Sequence, residues 1–448
     1  MKNLYKYAPV FIQNIIITIV NNQKYYQKYG AIPYIKPLKR IILNLDISNI
    51  NDEYTVDRIN KLLSDAVLNV PYYRENKENY QPISNINDIK NLPVLRKKIL
   101  KEHNDKFISE KSNRYNSYYF KTSGSTGTPL WGAISLKELR VRFDVFLASL
   151  KSEGIDYSLP VARFLGANVA EGSSIVFRKY YVNNHLLFSI YDLSKEKIIE
   201  YHKALVQNKI RIIEGYPSTI YSLVKLLKEQ GLNIPSVTNV LTTAEKLLDY
   251  QKEEIEGFFN LKIFDYYGSS EGSTYMYLNK KGFYLNSNKI GYLETVNHIN
   301  GEVKGTAGKM LVTSFSSSFT PLIRYDIGDI CTIKEEKNEV IKVSEIIGRQ
   351  DDVYITPNGT EFSRFSLVLK YLPEVIQESQ LRLWQNTNKA EVHYLSKLPI
   401  ASDDFYEFQD KIETILKMKF DIKYIRKQKF EKLSRGKLTA VKIMNNEN

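Results

Sequence analysis

Apolar residues recur at helical spacing along residues 54–70 of the chain. These positions share one face of a predicted helix, and they are Val56, Ile59, Leu62, Leu63, Ala66 and Val67. Pro71 ends this helix, because proline lacks the backbone N–H that a helix interior needs. The pattern therefore predicts an amphipathic helix that stops just before Pro71.

A second apolar segment, residues 11–20, lies close to the N-terminus. It contains Gln13 and Asn14, and it is shorter than the about 20 apolar residues that a membrane span requires. The polar residues after it do not form the cleavage site of a signal peptide. We expect an amphipathic helix that packs on the protein, with peripheral membrane contact as the alternative and no integral membrane segment.

Strand-like and helical patterns alternate through the middle of the chain. Strand-like segments lie at residues 118–120, 210–214, 239–243 and 261–265, and helical ones at 137–150 and 220–230. This alternation predicts an α/β fold with a largely parallel sheet. After Tyr292 short strands predominate, at residues 310–315, 330–334 and 340–343, which predicts a β-rich subdomain.

The C-terminal residues have a mixed pattern. Residues 390–395 predict a strand, and residues 405–418 predict a helix with one apolar face, formed by Phe405, Phe408, Ile412, Ile415 and Leu416. We therefore predict a large N-terminal domain over residues 1–348, built of α/β layers and the β-rich subdomain. A small α+β domain follows over residues 349–448.

The net charge indicates the kind of partner, and the cysteine content indicates the cellular compartment. The net charge of +13 and the pI of about 9.2 favour anionic partners such as nucleotides, coenzyme A or an acidic membrane. No nucleic-acid-binding module is recognisable, so we do not expect nucleic acid as a partner. Cys331 is the only cysteine, which predicts a reducing compartment, the cytoplasm. The five histidines form no pair with metal-ligand spacing.

The segment after residues 118–120 is rich in glycine and hydroxyl side chains. It runs Lys121-Thr122-Ser123-Gly124-Ser125-Thr126-Gly127-Thr128-Pro129. Glycine lets backbone amides approach an anion closely, and Ser and Thr hydroxyls add donors. The spacing is not that of a Walker A loop. From composition alone, a phosphate-binding loop and a flexible surface loop are equally supported.

Two further segments combine an aromatic ring, hydroxyls and a carboxylate. In residues 264–272, Tyr267 offers a flat face for a purine, Ser270 a donor to a phosphate, and Glu271 a hard oxygen ligand for Mg²⁺. In residues 324–329, Asp329 can accept hydrogen bonds from ribose hydroxyls. The alternatives are a glutamate that caps a helix and a solvated aspartate in an ordinary turn.

Two more segments bring the candidate motifs to five. They are Gly348-Arg349-Gln350-Asp351-Asp352 and Ser434-Arg435-Gly436-Lys437. Each of the five segments is weak evidence alone. Their order along the chain resembles the successive core motifs of the adenylate-forming superfamily of acyl- and aryl-CoA ligases. Within it, the chain is most similar to the phenylacetate–coenzyme A ligase family, and to its CapK-type branch linked to capsular polysaccharide biosynthesis. The resemblance spans nearly the whole chain.

The resemblance implies an ATP-dependent, AMP-forming ligase that adenylates a carboxylic acid and passes the acyl group to coenzyme A. It implies a mobile C-terminal lid with Asp351 as its hinge, and two catalytic residues, Lys437 and Ser270, at the α-phosphate. Glu271 would be the catalytic ligand of Mg²⁺. The remaining nucleotide-binding residues that it implies are Ser123, Gly124, Ser125, Thr126, Gly127 and Thr128 at the phosphates, Ala244, Glu245 and Tyr267 at the adenine, Gly268 and Ser269 next to Tyr267 in the sequence, and Asp329 and Arg349 at the ribose.

Two positions depart from the superfamily pattern. Leu130 and Trp131 stand where many members carry lysine, and the phenylacetate ligase branch lacks that lysine too. In addition, no basic residue follows Gly359. The second departure leaves the acceptor open between coenzyme A, a sugar amine or hydroxyl, and a carrier thiol. A nucleotide-binding scaffold without turnover is the alternative of another class, and intact Glu271, Asp329, Arg349 and Lys437 disfavour it. The acid stays open, as does the choice between monomer and homodimer.

Overall fold

The computed structural model describes most of the chain. The described residues are 8–29, 51–121, 131–165, 175–181, 185–190, 193–269, 271–296, 307–334, 341–349, 354–357, 361–362, 366–369, 371–373, 375–376, 378–416, 418–430 and 440–444. None of the helices within these ranges has both the length and the apolar content needed to cross a bilayer.

Helices and strands alternate in the order that the patterns predict. The α-helices of the described part are α1 (Val10–Tyr29), α2 (Asp52–Asn69), α3 (Pro71–Glu75), α4 (Lys97–Glu102), α5 (Leu136–Ser152), α6 (Ile198–Gln207), α7 (Pro217–Glu229), α8 (Asp249–Phe259), α9 (Ser366–Leu369) and α10 (Tyr406–Leu416).

The strands of the described part vary in length, and the longest lie between residues 307 and 349. They are β1 (Ser117–Lys121), β2 (Trp131–Ser135), β3 (Val161–Phe164), β4 (Phe177–Tyr180), β5 (His185–Phe188), β6 (Ile212–Gly215), β7 (Asn239–Thr243), β8 (Ile263–Gly268), β9 (Tyr275–Leu278), β10 (Tyr284–Asn286), β11 (Gly291–Val296), β12 (Ala307–Ser314), β13 (Tyr325–Lys334), β14 (Lys342–Arg349), β15 (Tyr354–Ile355), β16 (Glu361–Phe362), β17 (Glu378–Trp384), β18 (Lys389–Leu395), β19 (Asp421–Arg426) and β20 (Val441–Met444).

The chain forms two compact units. The parallel unit comprises Met1–Ile15, Ser158–Asp265 and Ile347–Asn448, and the antiparallel unit comprises Ile16–Tyr157 and Tyr266–Ile346. The proposed boundary between residues 348 and 349 stays a prediction, as does the movement of a C-terminal lid.

The described part of the parallel unit contains two main sheets and the short pair β15-β16. In the larger one, β5, β3, β6 and β7 pair in parallel, and β4 is an antiparallel edge strand on β5. Ile212, Ile213, Val240 and Leu241 are buried, as expected for parallel strands covered on both faces. The smaller sheet has the strand order β19-β18-β17-β20, and its core includes Phe405 of the 3₁₀ turn before α10. The predicted parallel sheet and small α+β region are thus confirmed.

The antiparallel unit holds the predicted β-rich part. Strands β11, β12 and β13 pair antiparallel, as do β9, β10 and β14. Helix α2 packs on this part of the fold, with Ile59 and Leu63 in one core together with Met310 and Tyr325. It ends at Asn69, and Pro71 begins α3 at a position where its missing N–H costs nothing.

Helix α1 is where the expectation and the structure differ. The predicted helix is present, but its buried residues are mainly polar, with Gln13 only 4% exposed, while Phe11 is 62% and Ile19 63% exposed. Gln13 accepts a hydrogen bond from the buried guanidinium of Arg178, which lies on the edge strand β4. The polar face of α1 points inward because it supplies hydrogen-bond acceptors to the buried Arg178 guanidinium and to a backbone N–H of β4.

Candidate active site

A tight turn follows β8 and fixes the position of Glu271. The backbone N–H of Gly272 donates to the Ser269 carbonyl at 2.9 Å, and the N–H of Ser273 donates to Ser269 Oγ at 3.0 Å. Gly272 has a φ of +64°, a left-handed conformation that glycine adopts without strain. The turn holds the Glu271 carboxylate in a buried position, as expected for a placed ligand rather than a solvated cap.

Glu271 meets a residue of a motif far away in the sequence. Among the residues that the structure describes, its hydrogen-bond partner is Tyr325, whose hydroxyl lies 3.4 Å from Glu271 Oε1. Tyr325 begins β13 and is fully buried. The turn after β8 and the start of β13 thus converge inside the antiparallel unit.

Tyr267 and Asp329 make a second link between the same two segments. The Tyr267 hydroxyl donates to Asp329 Oδ2, and Asp329 is only 8% exposed. Gly328, with a φ of +82°, donates its N–H to Asp326 Oδ1 at 3.0 Å, at the point where the pairing of β12 with β13 shifts its register just before Asp329. Two residues predicted for adenine and ribose are therefore neighbours.

Cys331 follows Asp329 on β13. Burial raises the pKa of the Cys331 thiol to about 12, and the nearby charge of Asp329 adds to the effect. A thiol with so high a pKa carries almost no thiolate at neutral pH. The only cysteine of the chain is therefore a packed residue and not a nucleophile.

Arg142 is a functional candidate that the sequence did not reveal. Its Nε donates to Ser316 Oγ at 3.0 Å and its Nη2 to the Ser316 carbonyl, while Ser316 Oγ lies 3.1 Å from the carbonyl of Gly272. A Cβ added to Gly272 would overlap the Arg142 guanidinium, so glycine permits this approach. Burial lowers the pKa of Arg142 to about 10, and the carboxylates of Glu138 and Glu271 oppose that shift.

Arg142 thus places a positive charge beside the turn that carries Glu271. In the sequence it is one of several basic residues on an amphipathic helix, and no local pattern distinguishes it. Only the fold, which packs α5 against this turn, could single it out.

Ala244 and Glu245 lie in the parallel unit, directly after β7. Ala244 has a φ of +69°, a strained conformation for a residue with a side chain. Glu245 Oε2 accepts a hydrogen bond of 3.3 Å from the N–H of Ser218 in the first turn of α7, where a negative charge is favourable. The next residue, Lys246, donates to the Ile347 carbonyl at 3.0 Å.

No family model matches the chain. Over 88% of this chain and 90% of the other, the structure is similar to the crystal structure of 2-hydroxyisobutyryl-CoA ligase in its postadenylation state, with a TM-score of 0.70 and 16% sequence identity. This chain has the adenylate-forming ligase fold.

Two curated proteins are similar to this chain in sequence. Protein CapK of Staphylococcus aureus is 22% identical over 432 residues, which cover 94% of this chain and 92% of that protein. Indoleacetate–lysine synthetase of Pseudomonas savastanoi is 31% identical over 134 residues, covering 29% of this chain and 32% of that protein. The resemblance to the superfamily is confirmed at the level of the fold, and the extent of the match with CapK supports the CapK-type branch.

Several predicted site residues of the adenylate-forming fold lie outside the described residues. They are Ser123, Gly124, Ser125, Thr126, Gly127 and Thr128 of the segment between β1 and β2, together with Ser270, Asp351 and Lys437. Arg349 is the last residue of β14, and its side chain also lies outside the description. Their roles stay predictions.

The described part of the site offers one carboxylate suited to Mg²⁺. Within the described ranges, no three His, Cys, Asp or Glu side chains come together as a metal cluster. Mg²⁺ at a nucleotide commonly uses only one or two carboxylates, with phosphates and water as its other ligands. The buried Glu271 carboxylate is a suitable ligand of this kind.

Proposed function

We propose that this protein is an AMP-forming ligase that uses ATP to activate a carboxylic acid as its acyl-adenylate. One observation carries the proposal. Two motifs about 60 residues apart in the sequence meet within one unit. Tyr267 of the first motif donates a hydrogen bond to Asp329 of the second, and Tyr325 of the second donates one to Glu271 of the first. The motif order of the superfamily requires this arrangement around one nucleotide.

In the first step the substrate carboxylate attacks the α-phosphorus of ATP, and the bond from that phosphorus to the bridging oxygen of pyrophosphate breaks. The carboxylate is already ionised at neutral pH, so no general base is needed. Tyr267 would stack on the adenine, Asp329 and Arg349 would hold the ribose, and Ser270 would donate to the α-phosphate.

The substrate carboxylate and the phosphates of ATP are both negatively charged, so positive charge is needed where they meet. Mg²⁺ held by Glu271 would supply charge neutralisation at the phosphates. Lys437 would offer its ammonium group to the carboxylate and the α-phosphate as charge develops between them. The loop over residues 123–128 would bind the β- and γ-phosphates through backbone amides and hydroxyls.

In the second step an acceptor attacks the acyl carbonyl, and the bond to AMP breaks. We propose a thiol acceptor, coenzyme A, with a carrier thiol or a sugar amine or hydroxyl as the alternatives. The partial similarity to a synthetase whose name joins an acid to lysine keeps an amine in consideration. We place the reaction in the cytoplasm, where ATP is available, and in capsular or surface polysaccharide biosynthesis, as the CapK-type resemblance implies.

The decisive measurement is carboxylate-dependent exchange between ATP and labelled pyrophosphate, screened over aryl, fatty, amino and hydroxy acids. We expect exchange with one class of acid, and its loss by at least about a hundredfold in Glu271→Gln and Lys437→Ala, since each removes charge that acts in the transition state. Glu253→Gln and Lys429→Ala are matched controls on exposed residues and should keep wild-type exchange.

Two outcomes would contradict the proposal. Exchange unaltered by Lys437→Ala would remove the role assigned to that residue. ATP binding by calorimetry with no exchange on any acid would favour a nucleotide-binding scaffold instead. Repeating the productive assay with coenzyme A, amines and sugars then identifies the acceptor.

A further inference from the structure

The exposed face of α1 is apolar along most of the helix. Seven large apolar side chains are between 36% and 63% exposed, and they are Phe11, Ile12, Ile15, Ile16, Ile19, Val20 and Tyr26. At 100° per residue these positions fall on one side of the helix. A contiguous apolar stripe of this length on a protein surface marks a place where something binds.

The opposite side of α1 already has its partners in the fold. Gln13 donates to the Ala8 carbonyl at 2.8 Å and accepts from Arg178. Asn14 Oδ1 accepts from the backbone N–H of Lys179 at 3.0 Å, which satisfies a donor on the edge strand β4. The first turns of α1 are therefore attached to β4 through polar groups. Of the stripe, Tyr26 lies under the Arg140 guanidinium at 6.0 Å, while the six side chains between Phe11 and Val20 stay exposed.

The charge pattern of the N-terminal sequence indicates the kind of partner. Residues 1–45 contain no Asp or Glu, and their basic residues are Lys2, Lys6, Lys24, Lys28, Lys36, Lys39 and Arg40. More than half of the net charge of +13 thus comes from the first tenth of the chain. Residues 8–23 carry no charge at all, so an uncharged stretch is bracketed by lysines.

We propose that the exposed face of α1 binds the surface of an anionic phospholipid bilayer. Its apolar side chains would enter the interface, and the positive charge that flanks them in the sequence would attract acidic headgroups. The helix would lie in the plane of the membrane, since its polar side stays attached to the protein. This surface lies beyond the proposed ligase chemistry and depends on no residue of it.

The inference is tested by sedimentation of the full-length protein with vesicles of phosphatidylcholine alone or of equal parts phosphatidylcholine and phosphatidylglycerol. We expect binding to the anionic vesicles, weakened at high salt because the lysine contribution is screened. The double variant Phe11→Ser/Ile19→Ser should bind more than about tenfold more weakly, since it removes two of the most exposed apolar groups. Leu398→Ser is the matched control and should bind like wild type, because Leu398 is 74% exposed but lies after β18, outside α1.

Both altered side chains of the double variant are exposed, so circular dichroism and the melting temperature should match wild type. Absence of wild-type binding to the anionic vesicles overturns the inference, as does equal binding by the double variant. If light scattering shows a wild-type dimer that the double variant loses, and vesicles are not bound, the stripe contacts a second copy of this chain instead. Pyrophosphate exchange measured without lipid is independent of all these results.

Discussion

Helices α1 and α2 carry similar apolar patterns and use them in opposite ways. In α2 the stripe is buried, with Ile59 at 0% and Leu63 at 1% exposure, whereas in α1 Phe11 and Ile19 are more than half exposed. Helix α2 packs on the core of the antiparallel unit. Helix α1 is attached through Gln13 and Asn14.

The difference shows what an apolar stripe does and does not specify. Helical spacing predicts that a helix forms and that one side seeks an apolar partner. It does not say whether that partner is the interior of the same chain. In α1 a buried guanidinium requires an acceptor, and that requirement overrides the burial of isoleucines.

The largest contrast between the two helices should appear in stability. Leu63→Ala should lower the free energy of unfolding by about 2–5 kcal/mol, because it leaves a cavity in a fully packed core. Ile19→Ala should change it by less than about 0.5 kcal/mol, because the side chain is largely exposed. Urea unfolding followed by circular dichroism measures both. Equal losses in the two variants would mean that the stripe of α1 is buried in solution.

Much of the fold could be predicted from the sequence because its elements are regular. Strand β7 has the predicted bounds, residues 239–243, and α5 extends the predicted helix by one residue at its start and two at its end. Strands β3, β4 and β5 were not predicted. Each has only four residues, as does β6, but β6 was found from the apolar run at Ile210, Ile212 and Ile213, whereas Arg163 interrupts β3 and Arg178 and Lys179 interrupt β4. The side of α1 that faces inward was also beyond prediction, because it depends on Arg178, more than 160 residues away.

The candidate site was predictable where a motif marks it. Tyr267, Glu271 and Asp329 were found from local residue types, and their meeting follows from the fold. Arg142 could not be found, since its contact with Ser316 joins residues with no shared local pattern. The strained φ of Ala244 was equally invisible, because alanine in a sequence gives no sign of a left-handed backbone.

A smaller effect should follow from loosening the polar attachment of α1. Gln13→Ala removes one acceptor from the buried Arg178 guanidinium and should cost about 1–3 kcal/mol. Hydrogen exchange at the backbone amides of β4 should rise in the same variant. Gln23→Ala, on an exposed residue of the same helix, is the control and should change neither quantity. Unchanged stability in Gln13→Ala would show that α1 is held by something other than this contact.

The smallest effect concerns how α2 begins. Asn51 Oδ1 accepts from the N–H of Tyr54 at 2.9 Å and so caps the first turn, which also carries Asp52 and Glu53. Asn51→Ala should cost about 1 kcal/mol, whereas Asn51→Asp keeps the acceptor and should stay near wild type. Both variants should bind anionic vesicles like wild type, because α2 contributes to the core and not to the proposed membrane surface. Reduced vesicle binding in Asn51→Ala would mean that the two helices do not act separately, since a change confined to the interior would then reach the exposed stripe.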